Sequence, residues 1–354
     1  MDSRKAILDT PRALREMLEK GRPQYEAVIR RTRWGDGPLF IVGRGPSLFA
    51  GMTVGLGFES LVGWPVVVRE ATEFSAHALG VLRPRSVVLA ISQSGESPET
   101  LEAARAAHSR GATVLAVTKA AQSTLAALAD GIFLVGAGGE SGSDGTSSVC
   151  RHAALGYISL VAAQVLKRHH PQLATLETEF QRIPEHIEWV LTQLGDAVRP
   201  FAAELKRCED ITVAGGGFFH SIAAEWARQF SREMRIPVES PASFEDEFDC
   251  FRNPAAGRAI IFLSNSRCRL KRAVHKAAAR AERAGIKSLT ITDRDDRELQ
   301  NHSSLAILLP TLHEMTGAVL TLALLAWVTY HAADERKSDA RRPRPHSSSR
   351  SRRA

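Results

Sequence analysis

Five landmarks in this chain recur at one spacing, and that recurrence constrains the fold more than any single motif. Gly43 and Gly215 each close an apolar run, Phe58 and Phe230 fall in the helical stretch that follows, and Pro65 and Pro237 open a second run. Glu73 and Glu245 come next, and Ser92 and Ser264 end a third run. The members of each pair lie ~172 residues apart. A chain of 354 residues has room for two such units, each with its own core, in a pseudo-two-fold arrangement.

Within the first unit the pattern predicts strands over Leu39–Val42, Pro65–Arg69, Val87–Ile91, Thr113–Val117 and Ile132–Val135. Helices are predicted between them over Phe49–Leu61, Pro98–Arg110, Gln122–Leu128 and Thr146–Leu166. The second unit repeats the rhythm, with strands near Ile211–Ala214, Ala259–Leu263, Ser288–Ile291 and Leu305–Leu308. Its helices are expected near Ile222–Met234, Leu270–Ala284 and Glu314–Tyr330. Such alternation implies an α/β fold in which each unit is a parallel five-stranded sheet flanked by helices, a flavodoxin-like three-layer arrangement. The expected division is an N-terminal helical segment (1–36, with an amphipathic pattern over Thr10–Arg31), a first domain (37–185), a connector helix (186–207), a second domain (208–333) and a basic tail (334–354).

The formal charge of +7 hints at nucleic acid until it is located. From Arg336 to Ala354 about eight basic residues face one acid, Asp339, so about +7 sits in the tail alone. The rest is close to neutral and a nucleic-acid partner is not expected; the tail reads as a solvated end, with weak attraction to anions or membrane surfaces as the alternative. Cys150, Cys208, Cys250 and Cys268 lack metal-ligand spacing, so free thiols in a reducing cytoplasm are expected, with no metal and no cofactor. The start of the chain has no signal-peptide pattern. The longest apolar segment, Met315–Val328, is about fourteen residues and reads as a core helix rather than a membrane span.

Chemistry concentrates where the Val87–Ile91 run stops, at Ser92-Gln93-Ser94-Gly95-Glu96-Ser97 followed by Pro98 and a helical pattern. A hydroxyl-rich turn between a buried strand and a helix N-terminus offers unpaired N–H groups and the positive end of a helix dipole to an anion such as phosphate. The alternative is that these residues only cap a helix. Open α/β sheets bind ligands at the carboxyl ends of their strands, which favours the anion. The equivalent stretch of the second unit, Ser264-Asn265-Ser266-Arg267-Cys268-Arg269, lacks the glycine and adds two cations. It is structural or takes a different anion, and the structural reading is favoured.

With these residues the sequence resembles the sugar isomerase (SIS) domain proteins, above all the isomerase half of glucosamine-6-phosphate synthase and its glutaminase-free relatives. The likeness rests on Phe58-Glu-Ser-Leu-Val-Gly-Trp-Pro, Glu70-Ala-Thr-Glu-Phe74 and Ile91-Ser-Gln-Ser-Gly-Glu-Ser-Pro-Glu-Thr-Leu101, and with the doubling it covers roughly Pro38 to Tyr330. The resemblance implies two tandem SIS domains, a homodimeric, membrane-free protein, and a hexose 6-phosphate or amino-sugar phosphate as ligand. It implies phosphate binding by Ser92, Gln93, Ser94 and Ser97, and a site lined by Gly43, Ser47 and Glu140.

Isomerising an aldose to a ketose moves a proton between C1 and C2 through an enediol, which requires a base in reach of both carbons. The resemblance places that base at Glu233, with Glu225 two helical turns earlier as the rival. The family's ring-opening His is replaced around Arg252-Asn253-Pro254, and a guanidinium cannot hand over a proton. His220 or His346, or a His of a second subunit, would have to substitute. The family's Schiff-base Lys near the C-terminus is also missing, and so is the Lys expected around Ser143–Ser148. Two functions follow: a phosphosugar isomerase or amino-sugar-phosphate deaminase, or a sensor that binds the same ligand without turning it over.

Overall fold

A computed structural model of the chain describes residues 3–35, 37–136, 144–242 and 257–341. Glu245 and Cys250 lie outside the described residues, as does the basic tail beyond residue 341. The first sheet contains β1 (Leu39–Gly43), β2 (Val66–Glu70), β3 (Val87–Ile91), β4 (Thr113–Thr118) and β5 (Gly131–Leu134), in the order β2-β1-β3-β4-β5. The second contains β6 (Asp210–Gly215), β7 (Val238–Glu239), β8 (Arg258–Leu263), β9 (Lys287–Asp293) and β10 (Leu305–Leu309), in the order β7-β6-β8-β9-β10. Every described pairing is parallel. β1 and β3 are buried at every position, because the middle strands of a parallel sheet are covered on both faces. That is why they read as unbroken apolar runs.

The largest apolar core gathers one face of each sheet, Ile41 and Leu89 from the first, Val213 and Ile261 from the second, and the long helices that pack on them. Smaller clusters cover the opposite faces, around Phe40, Phe74 and Val88 in one sheet and Ile260, Phe262 and Val274 in the other. The helices Pro46–Gly57 and Phe218–Met234, which follow β1 and β6, pack on each other. That contact brings the loops above the two sheets together. The turns feeding these helices match closely. Gly45 and Gly217 have φ of 53° and 58°, and a Cβ on Gly43 or Gly215 would meet the backbone of Ser47 at 3.0 Å or Phe219 at 2.7 Å.

Several helices run past the bounds expected from the sequence. Leu173–Gln193 is one unbroken helix that runs through the expected boundary at residue 185, and the connector is this helix plus a second one, Gly195–Lys206. Apolar residues on both helices join the shared core, so no composition shift marks a break. The last helix runs from Glu314 to Arg341. Its Glu314–Asp334 part is long and apolar enough to cross a membrane, although 83% of its apolar window is buried inside the fold. Burial among other helices accounts for that apolarity.

Candidate functional site

The Ser92–Ser97 loop leaves β3 at the carboxyl end of the sheet and is held by its own polar groups. The Ser92 amide donates to the Val117 carbonyl at 3.0 Å, and the Gly95 amide donates to the Ser92 carbonyl and hydroxyl at 3.1 and 3.2 Å. Gly95 has φ of 71°, and a Cβ there would lie 2.0 Å from Ser123 Oγ. Only glycine can hold this turn without moving its neighbour. The Glu96 carboxylate accepts from the Thr124 amide and hydroxyl, both at 2.7 Å, and so ties the loop to the next helix. Glu99, the second residue of the Pro98–Ser109 helix, folds back over the helix start. Its own amide, the Ser97 hydroxyl at 3.3 Å and the Arg44 guanidinium stabilise its carboxylate and hold its pKa below the usual range. An internal anion thus sits where a helix N-terminus favours negative charge.

Beside the loop lies a cleft of about 230 Å³ lined by Pro46, Gln93, Ser148, Arg151, Arg228, Gln229 and Arg232. It opens where the Pro46–Gly57 and Phe218–Met234 helices meet the Asp144–Val165 helix. At its base Glu225 is fully buried. One carboxylate oxygen accepts from Arg151 Nη2 at 2.5 Å, from Gln229 Nε2 at 3.1 Å and from the Ser148 hydroxyl; the other faces His152 Nε2 at 2.8 Å. Burial alone would raise the Glu225 pKa, but the Arg151 and His152 charges and these hydrogen bonds hold it at about 2. Arg151 Nη1 donates to Gln93 Oε1 at 3.1 Å, so the buried pair also orients a side chain of the serine loop. His152 Nδ1 pairs with the Thr53 hydroxyl at 2.8 Å, which pairs with Ser221 Oγ at 2.8 Å. This polar chain links helices of both units.

The structure brings Gln93 to the cleft, with Ser92 buried, Ser97 half-buried and Ser94 exposed in the same loop. Gly43 ends β1 and Ser47 is the second residue of the helix after it, next to the cleft-lining Pro46. Glu233 is exposed and does not line the cleft, whereas its neighbour Arg232 does. His220 is half-buried, with Nδ1 buried and unpartnered, and burial lowers its pKa; it too lies outside the cleft lining. Glu140, His346 and the Arg252-Asn253-Pro254 segment lie outside the described residues. Sequence reasoning missed Ser148, Arg151, His152, Arg228, Gln229 and Arg232. Two signals existed: Arg151-His152 interrupts an apolar helix, and Arg228 and Arg232 are one helical turn apart.

The second unit's loop is closed by carboxylates of its own. The Ser264 amide donates to Ile291, as Ser92 does to Val117, but the Ser266 amide and hydroxyl are both taken by Asp293 at 3.0 and 2.8 Å. The Arg269 amide donates to the buried Glu314 carboxylate at 3.1 Å. These backbone and hydroxyl donors are thus satisfied within the protein. A larger cavity of about 630 Å³ is lined only by the Thr10–Arg31, Asp144–Val165 and Leu173–Gln193 helices. Its central Arg22 is paired with Glu177 at 2.7 Å and no strand end reaches it, so the smaller cleft is the candidate site.

Residues 36–162 match the family model described as the SIS domain. Over 343 residues the chain is 27% identical to a glutamine–fructose-6-phosphate aminotransferase (isomerizing) of Thermococcus kodakarensis, with 96% of this chain and 56% of the relative aligned. The chain therefore spans about half the length of the curated relatives it matches. Among solved structures, the C-terminal domain of glucosamine-fructose-6-phosphate aminotransferase from Francisella tularensis superposes with a TM-score of 0.83 at 22% identity, covering 93% of this chain and 94% of the other. A glucosamine-6-phosphate deaminase from Thermotoga maritima gives 0.68 at 16% identity, with 95% of each chain covered. These structures share the two-sheet α/β fold with this chain.

Proposed function

We propose that this chain binds a hexose 6-phosphate or amino-sugar phosphate in the cleft, with the phosphate on Ser92, Gln93, Ser94 and Ser97 and the sugar toward Gly43, Ser47 and Glu140. In this reading it is an aldose–ketose isomerase or amino-sugar-phosphate deaminase working through an enediol. Glu233 carries the C1/C2 proton, and His220 or His346 assists ring opening. One observation carries the reading: a serine loop at the carboxyl end of a central strand borders a cleft that bears arginines. The names of the relatives, which describe aminotransferases, isomerases and a deaminase of sugar phosphates, support the ligand class. The shared strand order and the ~172-residue spacing support treating the second sheet as a diverged second SIS domain. A cytoplasmic homodimer completes the proposal.

A second reading, a sensor that binds the same ligand without turnover, is favoured by a specific feature. No carboxylate lines the cleft among the described residues, and Arg232 stands there beside the outward-facing Glu233. Two measurements test the readings. Replacing Ser92 and Ser94 together by Ala should weaken binding of fructose 6-phosphate and glucosamine 6-phosphate by about tenfold or more, from the loss of hydrogen bonds to a charged group. Unchanged affinity would remove the phosphate assignment. Incubation of the bound sugars in heavy water should place deuterium at C1 or C2; a ligand that binds without exchange identifies the sensor.

A further inference from the structure

The Phe218–Met234 helix presents three residues to the cleft, Arg228, Gln229 and Arg232, and keeps Glu225 one turn earlier at the base. Arg151 brings no free charge, because Glu225 holds it at 2.5 Å in a fully buried pair. Arg228 differs. It is exposed at the cleft and makes no ion pair among the described residues. Its guanidinium carbon lies 3.9 Å from where a Cβ on Gly45 would be, so the charge sits over the turn after β1, toward which the sugar is placed. In the reading above, the phosphate is held by the hydroxyls of the serine loop, which leaves Arg228 for another group.

We infer that the ligand carries a second anionic group, a carboxylate on its sugar part, and that Arg228 is the residue that selects it. This rests on the sugar-phosphate reading above and narrows it to acidic sugar phosphates. A guanidinium offers a planar fork that matches a carboxylate with two parallel hydrogen bonds. Arg232, one helical turn on, adds positive potential on the same helix face. A neutral hydroxymethyl group at that position leaves the fork unpaired.

The test uses a matched pair of open-chain ligands, 6-phosphogluconate and sorbitol 6-phosphate, which differ in carboxylate against hydroxymethyl at C1. Their dissociation constants are measured by calorimetry on the full chain and on Arg228→Gln. A charge-assisted pair predicts that the wild type favours 6-phosphogluconate by about tenfold or more. In Arg228→Gln the preference should fall below about threefold, while sorbitol 6-phosphate binding stays within about threefold of wild type. Equal binding of the two ligands by the wild type overturns the inference and leaves the sugar-phosphate reading intact. A variant that weakens both ligands alike also overturns it, because Arg228 would then be holding the phosphate. Binding of fructose 6-phosphate by a wild type that takes neither open-chain ligand overturns the inference alone, and failure to bind any of the three removes the sugar-phosphate reading as well. Arg228 is exposed, and an unchanged melting temperature in the variant checks that the fold survives.

Discussion

Replacing Glu225 by Gln removes the charge that compensates Arg151 at the base of the cleft, and the cost can be worked from the site. The carboxylate is fully buried and its pKa falls from an ordinary 4.5 to about 2, because the neighbouring cations and hydrogen bonds outweigh desolvation. At ~1.36 kcal/mol per pKa unit, that shift is worth about 3 kcal/mol of folding stability near neutral pH. The folded-state pKa is depressed, so this contribution is complete above pH ~4.5 and drains away as pH falls toward ~2, with less than half left at pH ~3. The same size follows from breaking a buried pair by removing one partner, about 3–5 kcal/mol. Urea unfolding of wild type and Glu225→Gln at pH 7 should therefore differ by about 3 kcal/mol, and the gap should shrink by more than half at pH 3. A difference below about 1 kcal/mol at pH 7, or a gap that does not narrow with acid, would refute the assignment of Glu225 as the charge that holds Arg151.

Gly95→Ala should destabilise the fold by about 2–4 kcal/mol, since a left-handed residue costs about 1–2 kcal/mol and the new methyl must displace Ser123; a melting temperature within about 2 °C of wild type would show that the turn relaxes freely. Glu99→Gln should tighten sugar-phosphate binding by about threefold to fivefold, because it removes a carboxylate that competes for the Ser97 hydroxyl and Arg44 at the helix start. Weaker binding in a calorimetric titration of that variant would mean that Glu99 organises the loop rather than competes with the ligand.

Local pattern was enough wherever one short stretch settles the structure. The runs at Val87–Ile91 and Arg258–Leu263 are strands because a doubly covered parallel strand must be apolar along its whole length. The serine loop was legible because strand, hydroxyl-rich turn, Pro98 and helix are contiguous. The cleft was not, since it assembles from four separated segments around Pro46, Gln93, Ser148–Arg151 and Arg228–Arg232. Likewise the Leu173–Gln193 helix hid its passage through the expected boundary, because its apolar face packs into a core common to both sheets.

By itself the sequence determined the α/β class, the two matched sheets' strand positions and the strand–turn–helix course of the Ser92–Ser97 loop, all of which follow from periodicity and turn chemistry within a few residues. Tertiary structure alone decided which charges face that loop. Successive residues of a helix point about 100° apart, so Arg232 lines the cleft and Glu233 turns to solvent. Glu225 became a buried counter-ion only because the Asp144–Val165 helix carries Arg151 and His152 against it.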